Sequence, residues 1–138
     1  MSTLIACLGE GKGTRVHVAR LIKAGQWNQV FLVTDDKAEK GMVPSNRIIT
    51  IDNGRKIPEL AEEIKTKLKG KILDTEVCLN LVSGTGKEHM AVLSAVLRLG
   101  LGIRLVTICE DKITDLSFED WEKKLSQELR IGNENKII

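Results

Sequence analysis

Five apolar runs of strand length fall at residues 3–8, 30–34, 47–51, 76–82 and 102–108, and this is what most limits the folds open to the chain. The first, TLIACL, has no polar alternation and stops at a glycine cluster, as a buried strand would. Segments with apolar residues at helical spacing lie between them. Residues 15–24 place Val18, Ala19 and Ile22 on one face, with Gly25 as a stop. Residues 57–69 place Ile57, Leu60, Ala61, Ile64 and Leu68 on one face of a lysine- and glutamate-rich helix stopped by Gly70. Residues 88–99 form a third helix. The connection at residues 37–46 is polar, contains Gly41 and Pro44, and reads as a loop. Asp52-Asn53-Gly54 is a turn signal.

This order, βαββαβα followed by β and a last helix, predicts one α/β domain: a Rossmann-like, doubly wound, mainly parallel sheet of five to six strands. The core spans residues 3–108. A C-terminal helical extension is expected over residues 112–138, with Ser117 as its cap and Phe118, Trp121, Leu125 and Leu129 along one side. Aromatic residues make up 3% of the chain and there is no Tyr, so Leu, Ile, Val and Ala must build the core. That palette suits a parallel sheet covered on both faces. It argues against a single-strand binder that stacks bases on aromatic platforms.

The net charge of +2 is too small for a protein that coats duplex DNA, so an anion site must come from local clustering. Cys7, Cys78 and Cys109 lie in or at the end of strand-like runs and none is at CxxC spacing. They read as buried free thiols, which places the chain in a reducing cytoplasm. The N-terminus has no signal-peptide pattern, and no apolar run reaches membrane-spanning length.

Two loops carry the chemistry. Gly9-Glu10-Gly11-Lys12-Gly13-Thr14 lies between the first strand and the first helix. Ser83-Gly84-Thr85-Gly86-Lys87 lies between the fourth strand and the helix opening at Glu88. Both combine glycines, a hydroxyl and a lysine just before a helix. Glycines let a ligand approach backbone N–H groups, and a helix N-terminus offers unpaired donors with a partial positive charge. In a doubly wound sheet both loops would flank the crevice at the topological switch point. The plain alternative is a pair of tight βα turns with incidental lysines. A P-loop does not fit: Glu88 follows Gly86-Lys87, and Leu81 stands where the first glycine belongs. The dinucleotide fingerprint fails because Thr14 replaces its last glycine, although Asp35 or Asp36 could hold a ribose hydroxyl.

The fourth strand, the loop Ser83-Gly84-Thr85-Gly86-Lys87 and the apolar helix from Met90 together resemble the CARF (CRISPR-associated Rossmann fold) domains. The glycine-rich turn after the first strand resembles their other ligand loop. The resemblance covers roughly residues 3 to 108. It implies a homodimer that binds a cyclic oligoadenylate, cyclic tetra-adenylate being favoured, in antiviral type III CRISPR signalling. Some such domains cut the ring without metal as ring nucleases. By position Lys87, Ser83 and Thr14 would be catalytic. Gly9, Glu10, Gly11, Lys12, Gly13, Gly84, Thr85, Gly86 and His89 would bind the ligand. No metal, cofactor, membrane or duplex DNA is implied, and about thirty residues after the fifth strand leave no room for an attached effector. The alternatives are a sensor that binds the ring uncut and regulates a partner, and a generic Rossmann nucleotide binder.

In the cleavage reading a ribose 2′-hydroxyl attacks the adjacent phosphodiester. The protein holds it in line, and Lys87 with helix N-terminal N–H groups stabilises the transition state. His17, on the first helix, is a candidate acid or base or an ordinary helix-face histidine. Glu10 would repel a polyanion unless Lys12 and Arg15 offset it. The helix at residues 88–99 is apolar nearly all round, which a second subunit would explain.

Overall fold

The structure, a computed structural model, describes residues 2–35 and 41–117. Six strands and three helices follow in the order β1 (Thr3–Cys7), α1 (Lys12–Ala24), β2 (Gln29–Thr34), β3 (Ile48–Thr50), α2 (Ile57–Leu68), β4 (Glu76–Asn80), α3 (Gly86–Arg98), β5 (Gly102–Cys109) and β6 (Lys112–Asp115). A single 3-10 turn, Ser45–Arg47, leads into β3. The strands form one sheet in the order β3-β2-β1-β4-β5-β6. Neighbours from β3 to β5 pair in parallel, and β6 alone runs antiparallel, against β5. Asp36 falls outside the described residues, as does the helix expected after Ser117.

Strand β1 is central and wholly buried, with Ile5 in register with Phe31 on one side and Leu79 on the other. Its alternate residues feed two apolar layers. Ile5, Phe31 and Leu79 point with Leu60, Ile64, Ala91 and Val96 into the layer beneath α2 and α3. Leu4, Ala6 and Leu32 point the other way, against Leu21 and Val18 of α1. Burial on both faces explains why β1 reads as an unbroken apolar run. Each fully buried leucine or isoleucine contributes about 1.5–3 kcal/mol.

Three elements differ from the expectation. Helix α1 begins at Lys12 and α3 at Gly86, so part of each glycine-rich segment is the first helical turn. The stretch expected to open a helical extension starts instead with strand β6, reached through a two-residue turn. Glu110 and Asp111 there take positive φ of 51° and 62°. Such a turn matches the twist of an antiparallel pair. The hydroxyl of Ser117 accepts from the backbone N–H of Leu105, so it serves the edge of β5. The apolar girth of α3 is partly explained within the chain. Ala91, Val92, Ala95 and Val96 are buried toward the sheet and α2, while Met90 and Leu97 stay 60% exposed.

Candidate functional site

Strands β1 and β4 are parallel neighbours, so the loops that leave their carboxyl ends meet. The backbone N–H of Gly9 donates to Ser83 Oγ at 2.8 Å, and Thr14 Oγ1 lies 3.0 Å from the same oxygen. Arg15 Nε donates to the Gly9 carbonyl at 2.5 Å. Ser83 is 1% exposed and acts as the rivet between the loops. The backbones approach closely: a Cβ on Gly9 would stand 2.7 Å from Gly84 N and 2.8 Å from Gly84 Cα. Gly84 has φ +93°, which glycine adopts without strain.

The two helix N-termini are not alike. At α3, the Thr85 side chain accepts from Glu88 N, and Glu88 Oε1 accepts from Thr85 N and Thr85 Oγ1, each at 2.9 Å. This reciprocal capping box uses up donors that an anion would need. At α1, the cap is Gly11, no side chain caps the helix, and the first turn carries no acidic residue. The α1 terminus therefore keeps its N–H groups and its partial positive charge for another partner.

A cavity of about 410 Å³ opens between these loops, with Gly9, Gly11, Thr14, Gly84 and Thr85 along one side. Asp35, Asn53 and Glu88 also line it, as do Glu10 and Val82. The charged groups in this lining are carboxylates. Lys87 faces elsewhere: its Nζ donates to the Asn53 carbonyl at 2.7 Å and ties α3 to the turn after β3. His89 Nε2 donates to the Ser83 carbonyl at 2.7 Å and holds the second loop from behind. Lys12, Gly13 and Gly86 are exposed on first helical turns outside the lining. The structure thus brings Thr14 and Ser83 together with Gly9, Glu10, Gly11, Gly84 and Thr85 at or around one cavity, and sets Lys87 and His89 as braces.

Asn53 and Glu88 were not picked out from the sequence. The spacing Thr85-x-x-Glu88 is a readable capping signature. Asn53 gave only a turn signal, because its approach to the crevice depends on the path of β3. A wider depression of about 700 Å³ adjoins this side and shares Asp35 and Asn53. Asn53 Nδ2 donates to Asp35 Oδ2 at 2.6 Å.

His17 lies one turn along α1, outside the cavity lining. Its Nε2 is 3.2 Å from Asn80 Nδ2 and 3.3 Å from Thr107 Oγ1. An amide NH2 only donates, so Nε2 accepts and the ring is the neutral Nδ1–H tautomer. Partial burial, then the charge of Arg20, lowers its pKa from the ordinary 6.5. The folded protein thus binds a proton here less readily than the unfolded chain. The contribution is fully present above pH 6.5 and fades as pH falls through that value toward the lowered folded pKa. His17→Gln should flatten this part of the stability profile, as read by urea midpoints measured between pH 5 and 8.

The cysteines correct the expectation of three buried thiols. Cys7 and Cys78 are buried, but Cys109 is exposed where β5 turns into β6 at the sheet edge. Burial, then the nearby Glu88 charge, pushes the Cys7 thiol up to about 12. A thiol held protonated is a poor nucleophile. Maleimide should therefore modify Cys109 in the native protein and reach Cys7 only after unfolding, as peptide mass spectrometry would show.

No protein-family model, curated protein or solved structure matches this chain. Among the described residues no helix is long and apolar enough to cross a membrane.

Proposed function

We propose that this chain is a doubly wound, Rossmann-type domain that binds a phosphate-bearing nucleotide, specifically a cyclic oligoadenylate, between the Gly9 and Ser83 loops. The observation that carries the binding reading is the uncapped N-terminus of α1 opening on a glycine-lined cavity at the carboxyl ends of β1 and β4. The phosphate is held by backbone donors and the hydroxyl of Thr14, since the cavity lining supplies no cationic side chain. The choice of a cyclic oligoadenylate rests on the likeness of the two loops to CARF ligand loops. In the same reading the protein is a cytoplasmic homodimer. Exposed Met90 and Leu97 of α3 lie at the subunit contact, and sedimentation equilibrium tests that state.

Two outcomes for the ring follow from Lys87. If Lys87 leaves the Asn53 carbonyl when ligand enters, it reaches the phosphodiester and supports metal-independent attack by the 2′-hydroxyl. The bond to the departing 5′-oxygen breaks, that oxygen takes a proton, and a 2′,3′-cyclic phosphate remains. If Lys87 stays on the Asn53 carbonyl, where its Nζ donates at 2.7 Å, the ring is bound and not cut. Incubation with cyclic tetra-adenylate and cyclic hexa-adenylate in EDTA, followed by chromatography, separates them. Linear products ending in 2′,3′-cyclic phosphate, abolished by Lys87→Ala, indicate a ring nuclease. An intact ring that co-elutes with the protein indicates a sensor. No cleavage and no retention removes the cyclic oligoadenylate assignment.

A further inference from the structure

Two residues that line the crevice each bury one oxygen with no hydrogen-bond partner among the described residues: Glu88 Oε2 and Asn53 Oδ1. Both residues line the cavity that the α1 N-terminus faces. Glu88 is 2% exposed, so its second oxygen lies just beneath the cavity surface and a donor reaches it only by moving into the wall. A buried acceptor left without a donor is costly, and native proteins seldom tolerate one without a reason. The orientations of both groups are fixed from their other ends. Glu88 Oε1 is held by two donors of Thr85, and the Asn53 amide nitrogen is held by Asp35. The Asn53 oxygen is thus committed as an acceptor, and Glu88 Oε2 accepts when the carboxyl is ionised.

We infer that Glu88 Oε2 and Asn53 Oδ1 receive hydrogen bonds from the ligand and read a ribose hydroxyl beside the phosphate cradle. The inference rests on the nucleotide reading above. The position of Glu88 selects the sugar over the base. Its carboxylate lies against Gly84, where a Cβ would stand 3.4 Å from Oε1, so it adjoins the loop that would face the phosphate. In a nucleotide the ribose is the donor-bearing group next to the phosphate. A neutral hydroxyl also suits a wall of carboxylates, which would repel a second phosphate. A hydroxyl donating to a carboxylate makes a charge-assisted bond, stronger than a neutral one.

The test compares binding of cyclic tetra-adenylate with its fully 2′-deoxy counterpart by calorimetry, on the full chain and on Glu88→Gln. Gln at this position keeps the capping box. The two Thr85 donors hold its amide oxygen, so its NH2 occupies the place of Oε2 and the acceptor becomes a donor. The wild-type protein is expected to prefer the ribose ring by about tenfold or more, and Glu88→Gln to lose most of that preference. Equal binding of the two rings by the wild-type protein would overturn the inference while leaving nucleotide binding intact. A preference that survives Glu88→Gln unchanged would overturn the assignment to this residue. If neither ring binds, both the inference and the proposed function fall. The wild-type comparison stands without the variant, so a folding defect in Glu88→Gln cannot shield the idea.

Discussion

Gly9→Ala is expected to spoil the fold and the crevice together. The added Cβ would lie 2.7 Å from the nitrogen and 2.8 Å from the Cα of Gly84. Both are backbone atoms, so no rotamer change relieves the clash. One loop must move away from the other. That movement stretches the bond from Gly9 N to Ser83 Oγ, and Ser83 is too buried for water to replace it. Overpacking of this kind costs about 1–3 kcal/mol, and an orphaned buried donor adds about 1–3 kcal/mol. Urea unfolding should show a lower midpoint with an unchanged slope. Under the proposed function, nucleotide retention should also be lost where the variant remains folded. Gly13→Ala is the matched control: no atom beyond its own turn of helix lies within 4 Å of its Cβ position, so its stability should stay close to that of the unmodified protein. If Gly9→Ala unfolds at the same urea concentration as Gly13→Ala, the close approach of the two loops is wrong.

Phe31→Ala should have the largest effect on stability alone. Among the described residues Phe31 is the largest side chain that is fully buried. It lies on β2 in register with Ile5 and contributes to the layer beneath α2 and α3. The guanidinium of Arg47 sits over its ring at 5.2 Å, so the substitution also removes a cation–π contact. Truncating a buried phenylalanine costs about 3–5 kcal/mol, a large share of the roughly 5–15 kcal/mol that stabilises a typical domain. The variant should melt well below the unmodified protein in calorimetry. Phe31→Leu, which refills much of the volume, should recover most of the loss. A melting temperature unchanged in Phe31→Ala would mean that the α2–α3 layer is not the main core.

The strands and helices up to β5 were legible because their signals are local. Burial on both faces leaves an unbroken run such as TLIACL, and an amphipathic helix leaves Leu60, Ile64 and Leu68 at helical spacing. Strand β6 was not legible. Its turn is Glu110-Asp111, which lacks the Asn-Gly or Asp-Gly signature of a two-residue hairpin, and KITD is too short to show a period. The site was legible in part. Glycines before a helix marked both loops, and sheet order brought them together. The direction of Lys87 was not legible: nothing in Gly86-Lys87-Glu88 says that the lysine turns to the Asn53 carbonyl, because that partner is 34 residues away. The asymmetry of the two helix termini could have been read from Thr85-x-x-Glu88, whose capping box competes with an anion for the same donors.

Under the proposed function, that asymmetry sets a stoichiometry. With α3 closed on itself and α1 open, each chain would present one receptor for one phosphate in place of two. A ring of four adenylates carries four phosphates, so a pair of chains related by a two-fold axis would grip two of them on opposite sides of the ring. The two in between would be left to solvent or to whatever the partner chains bring near. Titration should therefore saturate at one ring for every two chains, with each half of the ring seeing the same surroundings.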